Sequence, residues 1–419
     1  MADFSGWLPW LFVGALACFG LGWVAARIDV KQLIQESRAM PRAYFRGLNF
    51  LMNEEPDKAV EAFIDVSRAH PEAVELQFAL GNLLRRRGEA DRAIKIHQEL
   101  MERSGLEPAL RRSAALELAR DFQKAGLLDH AEDVLSAMLG KLGRDNALRR
   151  DAMALLKDIC VQAREWDRAI SATQTYMQEF AVDDNRLKAE LAQFHCERAE
   201  ELRATDAGAA ERELDAALKV NPACVRGNVL RGDWQAAAGQ HEQAIATWLS
   251  IEKQDAACMG LVAARLMQSW RALGEAKRGI DELLRLQAAM PGLEIMKVVL
   301  AATRELAGQP EALALAREQL RIYPTLVGLD RVFEAQAATE DAPELALHKK
   351  VVHDHAEKLA MYLCAECGFK ARQHFWHCPA CGEWESMPPR LTAELESSGR
   401  HLFHAKAGAQ SQSQIVRSD

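Results

Sequence analysis

Positive charge is in short supply in this sequence. Its 419 residues hold 52 Lys and Arg against 60 Asp and Glu, a formal net charge of −8. That balance argues against nucleic acid as the main ligand, because neutralising phosphates needs a basic face; it does not exclude a local basic patch. Aromatic residues make up only 6% of the chain. Ala, Leu, Glu and Arg dominate in their place, a mixture that favours helices. Regularly spaced cysteines are missing over most of the length. Cys18, Cys160, Cys196, Cys224 and Cys258 stand singly in apolar helical patterns, where a thiol behaves as a small buried hydrophobe. That scatter argues against a secreted disulfide framework and for a reducing compartment.

Enzyme signatures are also missing. There is no G-x-x-x-x-G-K-[ST], no G-x-S-x-G and no G-x-G-x-x-G opening a helix. His241-Glu242 begins like a zinc-protease motif, but Ile245 stands where the second His is required. No catalytic residue is assigned, and the chain reads as a non-enzyme.

Charge is absent altogether from Phe4 to Ala26, a run longer than the ~20 residues that span a hydrocarbon core. Trp7, Trp10 and Trp23 lie towards its ends, where amphipathic rings prefer the membrane interface. A cleaved signal peptide would need a basic segment ahead of the run, and Asp3 is the only charged side chain there. Arg27, Lys31, Arg38, Arg42 and Arg46 follow it. The positive-inside rule then predicts a single-pass anchor over 4–26, with the N-terminus outside and the rest of the chain in the cytoplasm.

After the anchor comes a repeat. Gly47, Phe50, Ala59, Phe63 and Pro71 are echoed about 34 residues later by Gly81, Leu84 and Ala93. Small residues let two antiparallel helices approach, Phe50 and Phe63 fill the gap, and Pro71 stops the second helix because it cannot extend the hydrogen-bond ladder. Looser copies follow. Ala119, Phe122, Gly126, Ala131 and Leu135 fit one unit, and Leu156, Cys160 and Ala169 another. Gly232, Gly239, Ala244 and Trp248 mark a third, and the small-to-proline step recurs at Ala210–Pro222, Gly279–Pro291 and Ala312–Pro324. The period and residue types resemble the tetratricopeptide repeat, giving about eight units, some degenerate, over 41–330, with slips near 105–112 and 180–207. Such stacks bind peptides or protein segments on an inner surface. By analogy with that family, Tyr44, Leu48, Phe78, Asn82, Arg85 and Arg120 would line it. Arg85-Arg86-Arg87 sits at a helix end and reads as opposing the helix dipole. Residues 331–360 read as a linker helix, with His348, His353 and His355 solvated, and residues 389–419 as a disordered tail.

The segment "YLCAECGFKARQHFWHCPACGEW" carries the strongest chemical signal. Two Cys-x-x-Cys turns, Cys364/Cys367 and Cys378/Cys381, each aim two thiolates at one ion, and together they complete a tetrahedron with metal–sulfur distances of about 2.3 Å for zinc. Gly368 and Gly382 follow the second cysteine of each pair, where a left-handed turn points backbone N–H groups at the sulfurs. Tetrathiolate sites accept iron or zinc, and both stay open here. With four protein ligands the site is closed to hydrolytic chemistry. A module of this size, 361–388, draws most of its folding energy from the metal. Phe369, Phe375, Trp376 and Trp384 are available to cover it or to pack it on the repeats.

The knuckles "CAECG" and "CPACG" resemble those of rubredoxin-like zinc ribbons. The order of anchor, repeats and knuckle resembles the lipopolysaccharide assembly protein B (LapB) family of Gram-negative bacteria over about residues 1–390. The expected fold is all-α, a tetratricopeptide-repeat superhelix with an N-terminal transmembrane helix and a small rubredoxin-like knuckle. The resemblance implies an adaptor in the bacterial inner membrane, N-terminus periplasmic and bulk cytoplasmic, that regulates lipopolysaccharide biosynthesis. It implies action with the FtsH protease in degrading the LpxC deacetylase, and contacts with LapA and a membrane signalling protein, the oligomeric state being left open. A membrane-tethered, rubredoxin-like electron carrier is the rival reading.

Overall fold

The computed structural model describes residues 49–50, 56–69, 73–143, 147–336, 343–356, 358–359 and 361–389. The predicted anchor at 4–26 and the tail beyond 389 lie outside the described residues, and so do Tyr44, Leu48 and Pro71. Among the described residues, no helix is long and apolar enough to cross a membrane.

The chain divides into two compact units, residues 1–164 and 165–419. The first holds α1 (Pro56–Ala69), α2 (Val74–Arg86), α3 (Ala90–Glu102), α4 (Pro108–Ala125), α5 (Leu128–Leu139) and α6 (Ala147–Gln162). Each packs on the next, and α2 on α4 and α4 on α6, the neighbour-only pattern of a repeat array. The small residues of the repeat lie where helices meet: Ala59, Ala93, Ala119 and Ala131 are completely buried. Gly81 has a partner that its spacing did not indicate. A Cβ there would sit 2.5 Å from the ring of His97 on α3, so the glycine admits a side chain, not a neighbouring backbone.

That ring belongs to a buried polar network. His97 Nδ1 meets Asp121 Oδ2 at 2.5 Å, and neither residue is solvent-exposed. Arg85 donates to Asp121 Oδ1 at 2.8 Å, to Glu117 Oε2 at 2.6 Å and to Asn82 Oδ1 at 2.7 Å. The network ties α2, α3 and α4 together. Arg85 thus reaches across to α4 instead of serving its own helix end, and Arg87 pairs with Asp57 and Glu89. Asp121→Asn keeps the shape but removes the charge that two partners share. It is expected to cost about 1–3 kcal/mol, seen as faster amide exchange in α2–α4.

The second unit continues with α7 (Trp166–Glu179), α8 (Asn185–Leu202), α9 (Ala207–Val220), α10 (Val225–Ala237) and α11 (His241–Leu249). A short α12 (Ile251–Gln254) and a 3-10 turn (Ala256–Leu261) interrupt the array. Then come α13 (Ala263–Ala272), α14 (Ala276–Ala289), α15 (Leu293–Leu306), α16 (Gln309–Ile322), α17 (Leu326–Ala335) and α18 (Pro343–Ala356). Helices α9, α14 and α16 each stop two residues before a proline: Pro222, Pro291 and Pro324. The largest core gathers Trp248, Trp270, Leu266, Leu283 and Val299. Here too glycines face rings, Gly232 against Trp248 and Gly279 against Trp270. On α18, His348 is exposed, His355 Nδ1 donates to the Val351 carbonyl at 2.8 Å, and His353 Nδ1 lies 3.2 Å from Asp330.

The unit ends in β1 (Tyr362–Leu363) and β2 (Lys370–Ala371), paired antiparallel with Tyr362 opposite Ala371. Isolated bridges join Tyr362 to Pro389 and His377 to Trp384.

Candidate metal centre

The two cysteine turns are built alike. In the first, Cys364 N–H donates to the Phe369 carbonyl at 2.9 Å and Gly368 N–H to the Cys364 carbonyl at 3.0 Å. In the second, Cys378 N–H donates to Glu383 and Gly382 N–H to Cys378, both at 2.9 Å. Gly368 and Gly382 have φ of 75° and 74°, the left-handed conformation that a side chain would strain. That reversal brings the N–H of Phe369 to the Cys367 sulfur and the N–H of Glu383 to the Cys381 sulfur. The sequence expectation of N–H groups aimed at sulfur is met.

All four Sγ atoms lie within 4.8 Å of one another. Cys364 and Cys381 are 3.7 Å apart and Cys367 and Cys378 3.8 Å. Metal–sulfur bonds of about 2.3 Å give a tetrahedral edge of about 3.8 Å, which these two pairs match, so the donor set suits one tetrahedral ion. The protonation balance points the same way. Burial raises the Cys364 thiol, but its hydrogen bond with Ser386 and those from the N–H groups of Cys367 and Glu366 outweigh it and hold the thiol at about 6. Cys381 is favoured by the Glu383 N–H, yet partial desolvation and its three sulfur neighbours push it up to about 12. A bound cation would favour the thiolate form of the whole set. The cysteines make a site for a single metal ion, of iron or zinc.

The ribbon has a minimal core of Tyr362, Cys364, Cys378 and Met387, covered by Phe369 and Phe375. Its other aromatics face the repeats. Trp384 meets Phe194 of α8 edge-on at 5.8 Å and Trp166 of α7 at 6.3 Å. His377 stacks on the same indole at 4.4 Å and donates from Nε2 to the Gly382 carbonyl at 2.9 Å. Trp376 packs on the core formed by α10–α15, and Leu261 of the 3-10 turn packs on the ribbon core. Polar contacts set the register: Gln193 Nε2 donates to Glu385 Oε1 at 2.6 Å, and Arg186 pairs with Glu383. His374 lies between Tyr362 and Trp376. Burial and the nearby Arg226 guanidinium lower it to about 4, so it stays neutral at the dock.

These docking residues of α7 and α8 were not foreseen. One trace of them is structural: Leu191 to Cys196 are six consecutive buried residues, because the ribbon covers the face that a surface helix leaves to water. Gln193 and His195 interrupt the apolar run and conceal it in the sequence. Of the residues expected to line a groove, Phe78 is half-buried with its ring 5.8 Å from His97. Asn82 and Arg85 belong to the polar network, and Arg120 pairs with its Glu117.

A family model described as a rubredoxin metal binding domain matches residues 362–389, and a tetratricopeptide-repeat model matches 46–105 and 200–257. Lipopolysaccharide assembly protein B of Escherichia coli (strain K12) is 29% identical over 390 residues, spanning 91% of this chain and 98% of its own length. The Haemophilus influenzae protein of the same name is 28% identical over 384 residues, 88% of this chain and 94% of its own. A solved tetratricopeptide repeat protein from Parabacteroides merdae aligns with 62% of this chain and 98% of its own at a TM-score of 0.35 and 13% identity.

Proposed function

The chain belongs to the lipopolysaccharide assembly protein B family, and from that premise we propose that it is a membrane-anchored, non-enzymatic adaptor in lipopolysaccharide assembly. In this reading the span at 4–26 confines the molecule to the inner membrane and raises its effective concentration beside a membrane protease. The repeats then hold a protein client, with the FtsH protease, the LpxC deacetylase, LapA and a membrane signalling protein as partners. The observation that carries the reading is the docked ribbon. Its four cysteines would hold an ion with no coordination position left open, and its tryptophans pack on the repeats, which suits a part that shapes a binding surface. The bound ion supplies structural cross-linking of the four thiolates.

The test is a pulldown from membranes with the full chain, with Cys364→Ser/Cys367→Ser and with residues 4–26 removed, scored together with the cellular deacetylase level. Both changes are expected to lower recovery of protease and deacetylase and to raise the deacetylase level. Unaltered partners and deacetylase in both variants would refute the adaptor.

A further inference from the structure

The small sheet of the ribbon is closed on one edge and open on the other. Tyr362 of β1 bridges to Pro389. Among the described residues, β2 pairs with β1 alone. Because Cys364 N–H donates to the Phe369 carbonyl, the next pair along the ladder, Leu363 with Lys370, is one whose backbone groups point away from each other. Lys370 therefore turns its N–H and C=O outward, away from β1.

Beside that edge lies a cleft of about 490 Å³. Its ribbon wall is the run from Phe369 to Gln373 with Phe375 and Met361, and neither residue of the β1 pairing, Tyr362 or Leu363, contributes. Helices α15 and α17 form the opposite wall, with Leu293 and Val327 adding apolar surface. Cations outnumber anions around it: Lys297, Arg331, Lys370 and Arg372 against Glu294 and Asp330. Asp330 is moreover buried and bonded to His353, whereas Lys297 and Lys370 are exposed.

We propose that this cleft binds a short extended segment of a partner protein, alternating apolar and acidic residues, which adds to β2 as a third strand. The outward amide groups of Lys370 supply the main-chain pairing. Alternate side chains of the added strand fall on Phe369 and Phe375, and the others meet Lys297 and Lys370, the two-residue period of a strand separating them. A lysine on an edge strand also discourages edge-to-edge pairing, but a merely blunted edge needs no walled, apolar-floored cleft beside it. Pro389 lies on the β1 edge, opposite β2, and the excess of cations round the cleft suits an acidic partner segment. The inference rests on the adaptor reading only in taking that molecule to be a protein client.

The experiment uses the full-length, metal-loaded protein in detergent micelles and fluorescence anisotropy of a labelled octapeptide of alternating valine and glutamate. Saturable binding is expected. It should weaken about ten-fold or more in Lys297→Glu/Lys370→Glu, and comparably when alternate peptide amides are N-methylated. Lys370→Pro removes the outward N–H while sparing the β1 pairing, and is expected to weaken binding too; retained metal and an unchanged tryptophan emission spectrum verify that each variant is folded. Equal binding of a valine–lysine peptide, or undiminished binding by the charge-reversed variant, would overturn the proposal. Binding seen only after removal of residues 390–419 would assign the cleft to the chain's own tail. A change of sedimentation in the variant with no peptide bound would assign it to a second copy. Either result likewise overturns it. Peptide binding without any effect on the deacetylase level would instead sink the adaptor reading and leave the site standing.

Discussion

Chelating the metal at neutral pH is expected to unfold residues 361–389 and strip them from the repeats. Two two-residue strands and a core of four buried residues hold little without it, whereas structural zinc contributes about 10–16 kcal/mol of apparent binding energy in comparable small modules. Cys364→Ser/Cys367→Ser does the same permanently. The consequence reaches beyond the ribbon. Trp384 is only 9% exposed because Trp166 and Phe194 cover it, and releasing it bares both partners, at about 1.5–3 kcal/mol for each large side chain returned to water. Tryptophan emission is expected to shift to the red on chelation, and amide exchange to accelerate in 361–389 and in the facing turns of α7 and α8. Unchanged emission and exchange after complete metal removal would mean that packing alone holds the ribbon.

The second large effect lies at the contact of α10 with α11. Alanine is a better helix former than glycine by about 1 kcal/mol, so Gly232→Ala on propensity alone would stabilise α10. The structure reverses the sign. A Cβ at Gly232 runs into Nε1 and Cδ1 of the Trp248 indole, which is 1% exposed and donates to the Val229 carbonyl at 3.2 Å. Gly232→Val must expel the ring, adding overpacking of about 1–3 kcal/mol to a lost hydrogen bond. Trp248→Ala, which leaves a cavity, is expected to cost about 3–5 kcal/mol. Combining Gly232→Ala with Trp248→Phe should recover part of the loss, since the two sites share one space. Urea titration followed by amide exchange in α10 and α11 measures all four variants. Stabilisation by Gly232→Ala would show that the ring moves aside freely.

Features that recur at short range were legible in the sequence. Ala59 and Ala93 reveal buried helix contacts through their period, and prolines 222, 291 and 324 mark where α9, α14 and α16 end. The metal site was legible because its ligands come in two local turns whose glycines need positive φ. What escaped depends on distance along the chain. Gln193 and Glu385 meet although 192 positions separate them, and no periodicity links them. Trp384 and Trp376 could be seen as exposed candidates, but not which helices would receive them. The break at α12 and the 3-10 turn was hidden too, because Ile251 to Leu261 keeps an ordinary helical composition while Leu261 serves the ribbon. The glycines facing His97 and Trp248 read as sites of backbone approach, since spacing records that a side chain is small and not what fills the space beside it.

If the docked ribbon shapes the binding surface of an adaptor, as proposed, Trp384→Ala separates docking from metal binding. That variant keeps all four cysteines and loses the indole seated on α7 and α8, together with its stacking on His377. The decisive measurement is the deacetylase half-life in cells whose only copy of this protein carries Trp384→Ala, with metal content assayed on the purified chain. A prolonged half-life with one metal ion still bound is the predicted result. A half-life equal to that of the unaltered protein, in a chain whose ribbon has come away from α8 by amide exchange, would contradict it.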